Sequence, residues 1–381
     1  MKKTILFAAI TVISVLVLSE ILLRITLTPL PARPFEWPPA DMTKHGLMAD
    51  ETLFWKLRPD YDGRWRLFKL AYTHELVSRQ TIDWEARKRL VAPTYGGVTW
   101  QVNHRGFRGP LIPAEKREGT VRLLFMGSSI TFGWGIRAEE AFPEAVRREL
   151  EKIYPGTLFE SLNAGVPGYA SYQGMRYLEI ILPQYKPDVV VAEFGVNDGT
   201  LATGREDKAW QPDLLNEIRL RLKNTGWARL VLRVFPPREA RAPIEDVKQT
   251  YDEAQKSFYR ISMTGTRTRV SPADFKANLH RMAGLCQKHG ARFVTYIPCL
   301  YNEYGEAELV ASVDFGGPEV LSVDEILSAY PQDELATFFL PFDEAHLSLK
   351  GHGIVAGSLV RFLRAHMEEV FTRTMLQEKT Q

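Results

Sequence analysis

Cysteine is nearly absent from this chain, with 2 residues among 381, Cys286 and Cys299. That scarcity excludes a disulfide framework and a thiolate metal centre. The two positions are expected near opposite ends of an antiparallel helix–strand pair, too far apart to bridge. Both thiols are therefore expected to be free and buried. An excess of one charge is lacking as well. Forty-eight Lys and Arg stand against 46 Asp and Glu, a net of +2, which indicates no nucleic acid or other polyanion as partner. No Gly-x-x-x-x-Gly-Lys-Ser/Thr phosphate loop occurs, so the string Asp343-Glu344-Ala345-His346 is not a helicase box. Internal repeats and low-complexity tracts are also missing.

What is present begins with a leader-like segment. Lys2 and Lys3 precede an apolar run from Ile5 to Leu23, broken only by Thr11, Ser14, Ser19 and Glu20. About 19 helical residues at roughly 1.5 Å each reach about 28 Å, close to a bilayer core. The expectation is a single-pass membrane anchor over residues 1–25, with the remainder outside the cytoplasm. A cleaved signal peptide, processed after Val17-Leu18-Ser19, is the rival. Pro29, Pro31, Pro34, Pro38 and Pro39 then make residues 26–44 a stiff spacer.

Residues 45–118 are rich in Trp, Tyr and Arg with little helical period, and read as a small β-rich extension that braces the core. From about Val121, strands and helices alternate, which predicts a mostly parallel sheet covered on both faces. Strands are expected at Val121–Met126, Leu158–Leu162, Asp188–Phe194 and Arg292–Ile297. Helices are expected at Glu139–Ile153, Tyr172–Leu182, Pro272–Lys288, Glu319–Ala329 and Lys350–Glu369. An insertion at 199–271 carries 14 Lys or Arg against 9 Asp or Glu. Leu214, Ile218 and Leu222 recur within it, with Trp227 beyond. Such a helix can pack its leucines on the core or lie on an anionic membrane surface, and a third alternative is that Trp210, Arg205 and their neighbours overhang the site as a substrate lid. Residues 372–381 form a polar tail.

Four segments carry the chemistry. Gly127-Ser128-Ser129-Ile130-Thr131-Phe132-Gly133 directly follows the apolar run Leu123 to Met126, and a serine on such a turn exposes its hydroxyl at the sheet edge. Asn163-Ala164-Gly165-Val166-Pro167-Gly168 follows a second strand, where glycine lets backbone N–H groups approach a ligand. Gly195-Val196-Asn197-Asp198 ends a third strand, the edge at which open α/β sheets bind ligands. Asp343-Glu344-Ala345-His346 lies near the C-terminus. Of the 8 histidines, only His346 has an aspartate three residues before it, and His352 fits the first turn of the last helix.

In order and context these blocks resemble the Ser, Gly, Asn and His signatures of the SGNH (GDSL-type) hydrolases, over roughly Val121 to Met367. The resemblance implies a three-layer α/β/α sandwich of flavodoxin-like type over residues 119–371. It implies Ser129 as nucleophile, His346 as base and Asp343 as the acid that orients the imidazole. The N–H groups of Ser129 and Gly168 and the amide of Asn197 would form an oxyanion hole, with Gly165 competing for the place of Gly168. The usual Gly-Asp-Ser is Gly127-Ser128-Ser129 here, so the acid that braces the turn is replaced by a hydroxyl. Val102-Asn103-His104-Arg105-Gly106-Phe107-Arg108-Gly109 is similar to a phrase preceding the catalytic domain in many exported members.

The implied activity is a serine esterase acting on short acyl esters, most plausibly acetyl, on an envelope glycan or related carbohydrate, with no cofactor and no metal. Acyl transfer to a sugar by the same residues, and a catalytically silent carbohydrate-binding protein, are the alternatives.

Overall fold

A computed structural model describes residues 2–26, 46–50, 52–64, 98–200, 206–210, 225–234, 268–301, 307–309, 320–322, 330–340 and 345–378. The chain divides into two compact units, Met1–Glu36 with Lys208–Lys256, and Trp37–Asp207 with Ser257–Gln381.

In the first unit, helix α1 spans Lys2–Thr26. Among the described residues no helix is long and apolar enough to cross a membrane, which corrects the expected anchor and the membrane as a partner. The run is interrupted where it is used for helix packing. Glu20 pairs with Arg24 at 2.6 Å and accepts the N–H groups of Gly226 and Trp227 at 2.8 and 3.2 Å. Those two residues open a second helix of this unit, Gly226–Val234. A Cβ at Gly226 would lie 2.5 Å from the Leu23 Cβ, so glycine is what permits the contact. Leu214, Ile218 and Leu222 lie outside the described residues.

The second unit opens with two antiparallel pairs. Strand β1 (Leu47–Asp50) pairs with β2 (Phe54–Leu57), and β3 (Asp62–Arg64) with β4 (Thr99–Gln101). The core follows as β5 (Thr120–Gly127), the short helix α2 (Ser129–Phe132), α3 (Phe142–Ile153), β6 (Leu158–Gly165), α4 (Ser171–Tyr185) and β7 (Val189–Glu193). After the inserted segment come α5 (Pro272–Lys288), β8 (Arg292–Ile297), β9 (Cys299–Tyr301), β10 (Ala307–Leu309), β11 (Val320–Ser322), α6 (Gln332–Leu335) and α7 (Leu349–Glu378).

Five strands form one sheet in the order β6-β5-β7-β8-β11, and every neighbouring pair is parallel. This is the flavodoxin-like order, in which the chain first winds one way from β5 and then the other. Every residue of β5 and β7 is buried. That is why they read as continuous apolar runs rather than as alternating patterns. Leu123, Phe125, Val191 and Val294 pack with Phe142, Val146 and Leu150 of α3 and Leu359 and Leu363 of α7. Helices α4 and α5 contact each other and the sheet.

Strand and helix boundaries largely follow the expectations, and α5 and β8 match residue for residue. The helix expected at Glu319–Ala329 is a correction. Val320–Ser322 is instead the edge strand β11, paired in parallel with Thr295–Ile297. A short apolar run is equally compatible with both states, and a vacant sheet edge decides it. The helix expected from Glu139 begins at Phe142, after a 3-10 turn at Ala138–Glu140, because Pro143 occupies its first turn. Cys286 is free and buried as expected, and burial pushes its thiol up to about 12.

Candidate active site

Strands β6, β5 and β7 end in register: Gly127 lies opposite Gly165 on one side and Glu193 on the other. The segments following all three therefore emerge at one sheet edge, on both sides of the point where strand order reverses. Ligands of open α/β sheets bind there. Small residues make the crowding possible. A Cβ on Gly127 would sit 2.2 Å from the Thr131 Oγ1, and one on Gly165 would sit 2.3 Å from the Phe132 N.

Ser129 begins α2, one residue beyond the buried N-cap Ser128, whose hydroxyl accepts the Ile130 N–H at 3.2 Å. The helix stops after one turn at Gly133, where φ is +78°. His346 arrives from the far end of the chain. Its carbonyl accepts the Leu340 N–H at 2.8 Å, and Ser348 N–H donates to Phe338 O at 2.8 Å, so residues 345–348 are tied to 338–340. The His346 Nε2 lies 2.8 Å from the Ser129 Oγ. With the proton on Nδ1, Nε2 accepts the serine O–H, which is the arrangement a base needs to activate a hydroxyl. The Trp134 ring stacks on this imidazole, with centroids 5.4 Å apart and planes at 22°. Trp134 also donates its backbone N–H to Ser129 O at 3.0 Å. Asp343 lies outside the described residues.

The Gly168 loop is held from several directions. Gly168 has φ of +83°, a conformation that favours glycine. Its carbonyl accepts Arg269 Nη1 at 2.8 Å, and Arg269 is itself paired with Asp207 at 2.8 Å. Gln173 donates to Asp207 at 2.8 Å and accepts the Ala170 N–H at 3.1 Å. From the N-terminal extension, Trp55 Nε1 donates to Pro167 O at 2.9 Å, and Tyr169 O–H donates to Trp55 O at 2.6 Å. Asn197 reaches the same loop, donating its amide to Tyr169 O at 3.0 Å. Asp198 holds the Asn197 turn by accepting the N–H groups of Gly195 and Ser171 at 3.0 and 2.9 Å. Complete burial raises Asp198 to about 6, opposed by those hydrogen bonds. Gly165, the alternative to Gly168, is the last residue of β6 and packs directly on α2.

Sequence reasoning passed over Glu193, Asp198, Asp207, Arg269, Trp134 and Trp55. One signal was available: Glu193 is a charged residue in an otherwise apolar buried strand. Its carboxylate takes up the bracing expected of Ser128, which donates to it through both N–H and O–H at 2.9 and 3.0 Å. The Gly-Phe-Arg-Gly phrase also contributes. Buried Arg108 donates to Gly133 O and Ile136 O at 3.2 and 2.5 Å and lies 4.2 Å over the Phe132 ring. His352 is a core residue, accepting the Phe142 N–H at 3.1 Å, with burial pulling it down to about 3. Among the described residues no group of three or more His, Cys, Asp or Glu could hold a metal ion.

Comparison with known proteins places the chain in a family. An arylesterase of Vibrio mimicus is 26% identical over 120 residues, 32% of this chain, and the match spans only 58% of that relative. A lipase/acylhydrolase from Enterococcus faecalis superposes with a TM-score of 0.41 at 17% identity, over 65% of this chain and 96% of that one. A catalytic mutant of Axe2, an acetylxylan esterase from Geobacillus stearothermophilus, gives 0.37 at 18%, over 65% and 96%. The family model of GDSL-like lipases and acylhydrolases matches residues 125–354, from the strand before the Ser129 turn into the last helix. Well over half the chain carries that pattern, and the protein belongs to the GDSL-like lipase/acylhydrolase family.

Proposed function

We propose that the protein is a serine ester hydrolase that removes short acyl groups, chiefly acetyl, from a carbohydrate of the cell envelope. The observation that carries this reading is the 2.8 Å approach of the His346 Nε2 to the Ser129 Oγ at the sheet edge. His346 takes the serine proton as Ser129 attacks the ester carbonyl, and a tetrahedral intermediate forms. The N–H groups of Ser129 and Gly168 and the Asn197 amide receive its oxyanion. Collapse expels the alcohol, protonated by His346, and water then cleaves the acyl-enzyme by the reverse proton path. Asp343 orients the imidazole and stabilises its cationic form. Membership of the acylhydrolase family and the arylesterase relative support ester chemistry. The Trp134 ring against the imidazole adds bulk beside the reacting pair, which favours a small acyl group.

The test uses the full chain and its Ser129→Ala variant with p-nitrophenyl acetate, butyrate and octanoate, followed by acetylated oligosaccharides. Turnover that falls with acyl length and vanishes in the variant is the expected result. Acyl transfer to added sugar in preference to water would replace hydrolysis by transfer. A folded protein with neither turnover nor fluorophosphonate labelling would refute the reading and favour a binding role.

A further inference from the structure

Glu193 is the one carboxylate that faces the nucleophile turn from inside the sheet among the described residues, and it makes no ion pair there. It is fully buried at the end of β7, opposite Gly127. Its Oε2 accepts the N–H of Ser128 at 2.9 Å, the N–H of Thr131 at 3.2 Å, the hydroxyl of Thr131 at 3.0 Å and the hydroxyl of Ser128 at 3.0 Å. One oxygen therefore collects both backbone donors that bracket Ser129 and Ile130, together with both neighbouring side-chain hydroxyls. On its other side β7 pairs with β8, where Tyr296 is the register partner of Glu193. A buried acid without a cation is costly, and a packing role alone would be met by an apolar residue. What this acid does supply is a single fixed acceptor that closes the turn, and the turn sets where the Ser129 Oγ points.

We infer that Glu193 is a positioning residue for the nucleophile: gathered on one oxygen, the Ser128 and Thr131 donors hold the turn so that the Ser129 Oγ stays within reach of His346. The inference rests on Ser129 being the nucleophile. Glu193 itself does not touch substrate. Without the acceptor, the two N–H groups and the two hydroxyls must find other partners, and the turn relaxes. Substrate binding, made elsewhere at the edge, is unaffected, so the loss falls on the chemical step. A misplacement of about 1 Å in a reacting group lowers the rate on the order of 10²-fold.

The experiment compares wild type, Glu193→Met, Glu193→Gln and Ser129→Ala by steady-state turnover of p-nitrophenyl acetate and by the rate of fluorophosphonate labelling. Wild type labels and Ser129→Ala does not, which establishes the nucleophile independently. Glu193→Met is expected to lose about 10²-fold in kcat with little change in KM, and its labelling slows in step while still reaching completion. Glu193→Gln keeps an acceptor oxygen of the same length and is expected to recover most of that loss. Thr131→Val removes one hydroxyl donor without changing shape and, should Glu193→Met not fold, carries the test with a smaller fall in kcat at constant KM. Unchanged kcat in Glu193→Met, or in Thr131→Val where that variant stands in, overturns the positioning role alone. A loss in Glu193→Met that Glu193→Gln does not recover, or one expressed only as incomplete labelling, also overturns it, since both are the marks of a general folding defect. Failure of wild type to label overturns the nucleophile assignment, and the positioning role with it.

Discussion

Glu193 also gives the protein a pH-dependent stability whose sign and size can be worked out. Burial raises this carboxyl from its ordinary 4.5 to about 7, and the hydrogen bonds from Ser128 and Thr131 oppose the rise. In the unfolded chain it titrates at the ordinary value. Between the two values the folded chain therefore retains a proton that the unfolded chain has lost. Stability from this group is complete below about pH 4.5 and is lost as pH rises through about 7. At about 1.4 kcal/mol per pH unit of displacement, the loss across that window is about 3 kcal/mol. Glu193→Gln is neutral throughout and should not show it. Urea midpoints of both proteins, taken at about pH 4.5 and about pH 8, give the difference directly, because other titrating groups, Asp198 included, act in both and cancel. Wild type should lose about 3 kcal/mol more than the variant over this range. An equal pH dependence in the two proteins would refute the argument that burial dominates at this site.

Four further outcomes are expected. Ser129→Ala should lower kcat by about 10⁴-fold or more while leaving the fold intact, checked by turnover and circular dichroism. Asn197→Ala should cost about 10²–10³-fold in kcat if its amide serves the oxyanion, measured with p-nitrophenyl acetate. Arg269→Met removes the donor on the Gly168 carbonyl and the partner of Asp207, so kcat should fall by roughly 10-fold or more at similar KM. Gly165→Ala should destabilise the chain by about 1–3 kcal/mol or more, read from the thermal midpoint, because its methyl would meet the Phe132 backbone rather than a movable side chain.

Some of the site was readable along the chain because it is built from short-range features. Apolar runs such as Leu123 to Met126, with glycine and small polar residues directly after, identify buried parallel strands and the turns at their ends. The Ser129, Gly168 and Asn197 segments could be placed on this basis. The supports of the site could not. Arg269 is 101 residues from the Gly168 carbonyl it holds, and Trp55 is 112 from Pro167. No spacing rule connects such pairs, since side-chain hydrogen bonds form wherever packing leaves a donor beside an acceptor. Glu193 shows the limit from the other side. Its presence in an apolar strand was visible, but its use depends on the parallel register that sets it opposite Gly127.

The sequence by itself determined the parallel-sheet class, most strand and helix positions and the turn that carries Ser129 after its strand, because each follows from local hydrophobic pattern and backbone preference. Tertiary structure decided what those terms leave open. It brought His346 to Ser129 across 217 residues, made Val320–Ser322 a strand, and turned the end of the apolar N-terminal run into a helix-packing surface through Glu20. In each case the outcome turned on a partner distant in the chain, and a local pattern carries no information about which partner that is.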